Sequence, residues 1–133
     1  MIFESAHVAV AIDRPAREVY EYVVDARNLP AWAAGLADGS VELRDGEWVV
    51  SSPLGTVTVA FAAPNPFGVA DHDVTLATGE VVNNPLRVAT NGDGCDVVFS
   101  VHRLAGTSAA QFAADVAAVE ADLGRLRALL EMG

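Results

Sequence analysis

The chain has 133 residues, 52% of them apolar but only 7% aromatic, and a formal net charge of −10. That length suits one domain, read here as residues 1–133, whose core buries roughly two-thirds of the unfolded surface without help from a disulfide or metal. So acidic a surface repels phosphate backbones, which excludes nucleic acid and anionic membrane as partners.

Cys95 is the only cysteine, so no internal disulfide forms, which fits a reducing compartment. No basic segment followed by an apolar run begins the chain, because Asp13 and Arg14 interrupt it. No stretch reaches the ~20 apolar residues that span a bilayer. The expectation is a cytoplasmic protein without membrane insertion, a monomer or a homodimer.

Residues 5–12 alternate and predict a first strand. Pro15 then sits where a helix begins, and Val19, Tyr22 and Val23 recur at helical spacing. A second short helix starts near Pro30 and carries Trp32, with Gly35 and Gly39 closing the excursion. Six strand-like segments follow, over 40–45, 47–52, 56–62, 69–77, 80–90 and 95–103.

Loop length sets register, and register sets the face each residue occupies. A two-residue turn at Asp45-Gly46 sets Leu43 opposite Trp48 and Val41 opposite Val50. A turn at Leu54-Gly55 then sets Val50 opposite Val59 and Trp48 opposite Phe61. A three-residue loop at Ala77-Thr78-Gly79 sets Val74 opposite Val82 and His72 opposite Asn84, and a four-residue loop over 91–94 sets Val88 against Val97 and Leu86 against Phe99. One face is then almost wholly apolar, and the other carries Asp71, Asp73, Arg87 and His102. Segment 63–68, with Phe67, reads as a long hairpin connection or a gate over the enclosed space.

The last segment predicts a long helix. Ser108 and Gln111 have capping-box spacing. Phe112, Val116, Val119, Leu123, Leu126 and Leu130 form one stripe. Such a helix runs on the order of 35 Å, long enough to cross the whole inner face. Gly124 interrupts it and allows a bend or a close approach.

The order strand, two short helices, six strands, long helix resembles the START-like (SRPBCC) superfamily, which includes the birch-pollen allergens, lipid-transfer domains and polyketide cyclase-like proteins. The likeness rests on Ile12-Asp13-Arg14-Pro15, Val19-Tyr20, Asp25, Asn28-Leu29-Pro30 and Trp32, and on Phe112, Asp115, Val119, Asp122 and Leu123. It implies an α+β helix-grip fold, a seven-stranded curved antiparallel sheet around the C-terminal helix, with a small hydrophobic molecule as partner and no cofactor.

His72 and Asn84 are the two polar residues of the inner face. Burying them unpaired costs a few kcal/mol, so they are expected to bond each other, a water or a ligand. Around them Trp48, Phe61, Val74, Leu86, Phe99, Phe112, Val116 and Val119 are the candidate ligand-binding residues. His72 is also the one base the inner face offers, which leaves open a polyketide cyclase/dehydratase reading with His72 as acid/base. A third reading is an interaction protein with a collapsed cavity. No metal is expected: His7 and His102 take the outer face without a third ligand. Cys95 lacks a histidine partner in register, so a nucleophile is not expected.

Overall fold

The computed structural model describes residues 1–132. Strand β1, Ser5–Ile12, alternates exposed and half-buried residues and ends on fully buried Ile12. Pro15, with its φ already near the helical value, leads into α1, Ala16–Val23, which buries Val19 and Val23. A 3-10 turn over Ala26–Asn28 is capped by Asp25, whose carboxylate accepts from the Arg27 N–H at 3.1 Å. Helix α2, Leu29–Trp32, follows directly and buries both of its end residues.

The strands are β2 (Val41–Arg44), β3 (Glu47–Ser52), β4 (Gly55–Phe61), β5 (His72–Thr75), β6 (Val81–Asn84), β7 (Leu86–Asn91) and β8 (Gly94–His102). They pair antiparallel in two runs, β2-β3-β4-β5-β6 and β1-β8-β7. Segment 80–90, expected as one strand, is interrupted at Pro85, which cannot donate to a ladder. The pairing nevertheless keeps step across the proline. His72 faces Asn84 on one side of it and Val69 faces Arg87 on the other. Asp71 fills the gap: its carboxylate accepts from the Leu86 N–H at 2.9 Å and grips the Arg87 guanidinium at 2.8 Å. Eight strands thus make two curved sheets where one of seven was expected, joined beside Pro85 by these bonds and the isolated Val69–Arg87 bridge.

Gly68 explains how closely that junction packs. Its φ is +73°, and a Cβ there would lie 2.0 Å from the Val88 carbonyl oxygen. Only glycine fits.

The Asp45-Gly46 turn gives the expected pairs, Leu43 with Trp48 and Val41 with Val50. Both His72–Asn84 and Val74–Val82 pair as expected, as do Val88–Val97 and Leu86–Phe99, although the last loop shortens to Gly92-Asp93. One register differs. The β3–β4 turn falls on Pro53-Leu54, so Val50 faces Val57 and Trp48 faces Val59, while Phe61 faces His72. A slip of two residues leaves every side chain on its expected face.

Helix α3, Ala109–Met132, has the predicted length. It packs most closely on β1 and α2, with less contact to β8, and faces β5 and β6 across a cavity. Only Leu123 and Leu126 of its stripe are fully buried; Phe112, Val116, Val119 and Leu130 are half-buried. The Ser108 hydroxyl accepts from the Gln111 N–H at 3.1 Å, but the Gln111 side chain turns to Asp115 and leaves the capping box half made. No atom lies within 4 Å of a Cβ built on Gly124, so this glycine serves no close approach. The core lies between the concave sheets, with Val50, Val57, Val59, Leu86 and Val97, and the helical residues Val19, Val23, Leu29, Trp32, Leu123 and Leu126.

Candidate functional site

A space of about 310 Å³ lies between α3, α2 and strands β5, β6 and β8. The Ser100 N–H donates to the Pro85 carbonyl at 3.0 Å, and Val101 and His102 border the cavity with Val82 and Asn84.

His72 forms part of the wall at 4% exposure. Its ring is wedged between Phe61, with centroids 5.1 Å apart, and Phe99, at 5.9 Å in an edge-on arrangement. Nδ1 lies 3.1 Å from the Ala70 carbonyl oxygen. A carbonyl can only accept, so Nδ1 bears the proton and the neutral ring keeps its lone pair on Nε2. Burial pushes the imidazole pKa below the ordinary histidine value, outweighing the Ala70 hydrogen bond and the nearby Asp71 and Asp73 carboxylates.

Asn84 stands opposite, yet the two side chains do not bond each other as expected. The Asn84 Nδ2 donates to the His72 carbonyl at 3.4 Å and the Val82 carbonyl at 3.1 Å. Each polar residue is satisfied by backbone, which leaves one acceptor on each: Nε2 and Oδ1.

Of the other candidates, Val74, Phe99 and Val119 line the same space. Trp48, Phe61, Leu86, Phe112 and Val116 do not. Leu86 is wholly buried in the core beneath. Phe61 touches the cavity only through its stack on His72, and Trp48 packs on the core beside Val59. Phe112 and Val116, half-buried on α3, lie off the lining.

Asp122 also lines the cavity and was not singled out by sequence reasoning as a site residue. Its carboxylate pairs with Arg125 and is turned to the Ala34 and Gly35 backbone N–H groups after α2. Burial raises its pKa above the ordinary carboxylate value, more than Arg125 and those N–H groups lower it. One signal was available: Asp115, Val119 and Asp122 are four and then three residues apart, so they share one helix face. Trp32 forms another part of the wall, and its Nε1–H is enclosed without a hydrogen-bond partner.

The Ala63–Gly68 loop belongs elsewhere. Asn65 pins it by bonding the Ala63 and Val69 carbonyls and the Phe67 and Val69 N–H groups, and the Tyr20 hydroxyl accepts from the Asn65 N–H at 3.2 Å. It borders a second, more polar depression beside α1 and does not gate the first. His7 and His102 do not meet; each bonds a serine on the paired strand, Ser100 at 2.8 Å and Ser5 at 2.9 Å. Cys95 is buried, which pushes its thiol up.

Residues 4–131 match a family described as polyketide cyclase / dehydrase and lipid transport. The chain belongs to that family. With it comes the START-like superfamily and its helix-grip fold. No curated protein matches the chain by sequence. Among solved structures, the Aha1 dimer from Colwellia psychrerythraea is similar with a TM-score of 0.76 at 12% identity, over 98% of each chain. Ara h 8.0201 is similar at 0.67 and 14% identity, over 98% of this chain and 99% of that one. DynU16, from the dynemicin biosynthetic locus, follows at 0.65 and 18%, over 96% of this chain and 47% of that one. At such identities these likenesses show the fold. No helix among the described residues is long and apolar enough to cross a membrane.

Proposed function

We propose that this protein binds a small, mostly apolar molecule in the cavity between α3 and strands β5, β6 and β8, oriented by His72 and Asn84. The observation that carries the reading is the state of His72: buried, held neutral, its Nδ1 committed to Ala70, and set in an apolar wall formed with Val74 and Phe99. A ligand group that donates to Nε2 gains an anchor in a low-dielectric site, where one hydrogen bond discriminates strongly between molecules. The family's lipid-transport members support the same use of the space. An open cavity argues against the interaction-protein reading, which needs it collapsed. Native mass spectrometry of protein purified from its own host should find a retained small molecule, and His72→Ala should weaken retention about tenfold, the worth of one buried hydrogen bond. Equal retention by wild type and His72→Ala would count against the anchor.

A second reading, acid/base chemistry of the cyclase/dehydratase kind, is favoured by the free Nε2 lone pair and by the family's description. The DynU16 likeness, to a protein of a biosynthetic locus, points the same way. Against it, the imidazole is oriented by a backbone carbonyl and not by a carboxylate, which gives a weaker base. Turnover that survives His72→Gln in a folded protein would remove this reading.

A further inference from the structure

Hydrogen bonds within the protein decide what the cavity wall has left to offer. The His72 Nδ1–H goes to Ala70 and leaves a lone pair on Nε2. Both Asn84 Nδ2 bonds go to carbonyls, which leaves Oδ1. Asp115 accepts one bond from Gln111 at 2.8 Å and, among the described residues, has no arginine partner. Asp122 supplies a second carboxylate to the lining. The Thr107 hydroxyl serves either role, while that of Ser100 is taken by His7 at 2.8 Å. The Trp32 indole N–H is a donor without a partner, but it is enclosed, with the residue 2% exposed.

One cation stands beside this set, Arg125, and it is already paired with Asp122. Among the described residues no arginine lines the cavity, and each of the eight arginines is paired with a carboxylate elsewhere or, for Arg125, with Asp122 itself. A ligand carboxylate entering here would set acceptor against acceptor and negative charge near negative charge, with no partner to repay its lost hydration. A hydroxyl or an amine meets the opposite situation: its N–H or O–H finds Nε2 of His72 or an aspartate.

We infer that the cavity selects an apolar molecule with a hydrogen-bond donor head, a hydroxyl or an amine, and rejects its carboxylate counterpart. The inference rests on the proposed function, and names the ligand class for that same site. Polar specificity then comes from the acceptors His72, Asn84 and Asp115, while Val74, Phe99 and Val119 provide the apolar wall.

The test uses decan-1-ol, decylamine and decanoate, which share a chain and differ at the head. Each is titrated against the full chain at neutral pH and near-physiological salt, with tryptophan fluorescence as the readout. Both donor-headed probes should bind, and decanoate should bind at least about tenfold more weakly than decan-1-ol. Asp115→Asn should narrow that gap. Val74→Phe, which fills the space, should abolish binding of all three and so separate cavity occupancy from adhesion to the acidic surface. Val119→Phe, at a half-buried position, does the same if the first variant does not fold. Decanoate binding as tightly as decan-1-ol, and lost in the filled variant, overturns the inference and leaves the cavity reading intact. Binding of no probe, or binding indifferent to both filled variants, overturns both.

Discussion

His72 shows how one buried side chain couples the cavity to pH. Because burial holds its pKa below the ordinary value, the unfolded chain takes up this proton first as pH falls. Stability from this group is therefore complete above the unfolded histidine value of about 6.5 and is lost as pH falls through it. The loss can reach about 1.4 kcal/mol per pH unit for one proton. Denaturant unfolding at about pH 7.5 and about pH 5.5 should show the decline in the wild type and a flatter profile in His72→Gln. An NMR titration that placed His72 at or above the free value would contradict this account. Asp71 acts in a lower window. The Arg87 hydrogen bonds hold its carboxylate below the usual range, aided by the Leu86 N–H, so its stabilisation is lost as pH drops through and below that range. Asp71→Ala should cost about 1–3 kcal/mol, since it strands the Leu86 N–H at the proline gap. Asp73→Ala, which removes only an exposed bond from Asn83, should stay within about 0.5 kcal/mol on the same measurement.

Elements differ in how far their placement could be read from residues alone. Registers across Asp45-Gly46 and around Gly79 were legible because both strands of each hairpin carry an alternating pattern that only one loop length satisfies. The β3–β4 slip was not, since Pro53-Leu54 and Leu54-Gly55 both make two-residue turns and both preserve the faces. His72 and Asn84 were legible as inner polar residues for the same parity reason. What periodicity cannot carry is where a helix lies on a sheet. The course of α3 depends on its contacts with α2 and β1, far away in sequence, and so the roles of Asp122, Phe112 and Val116 were hidden. Gly124 belongs to this scale as well. It sits in the middle of α3 with open space around it, so Gly124→Ala should add about 0.5–1 kcal/mol through backbone entropy and raise the melting temperature by a few degrees. No change, or a loss, would show that the glycine relieves a strain absent from its surroundings.

At the scale of the whole molecule, charge is distributed with little slack. All eight basic residues are arginines, and every one is paired with a carboxylate. Most of these pairs are exposed, where each is worth about 0–1 kcal/mol. With 18 acidic residues, ten carboxylates (18 − 8) outnumber them and repel one another. Added salt weakens both effects, and the unbalanced repulsion is the larger, so the melting temperature should rise by a few degrees from low to about 0.5 M sodium chloride. A fall would mean that the pairs outweigh the repulsion. Arginine in place of lysine gives the ion pairs a further property. A guanidinium keeps its proton at any pH a protein survives, whereas a carboxylate surrenders its charge in mild acid. Each pair can thus be opened from one side only. Acid dissolves them together, while alkali must act instead on groups such as the Tyr22 phenol and the Cys95 thiol, both of which burial has pushed upward. The pairs are thus lost from the carboxylate side, in acid, and never from the guanidinium side.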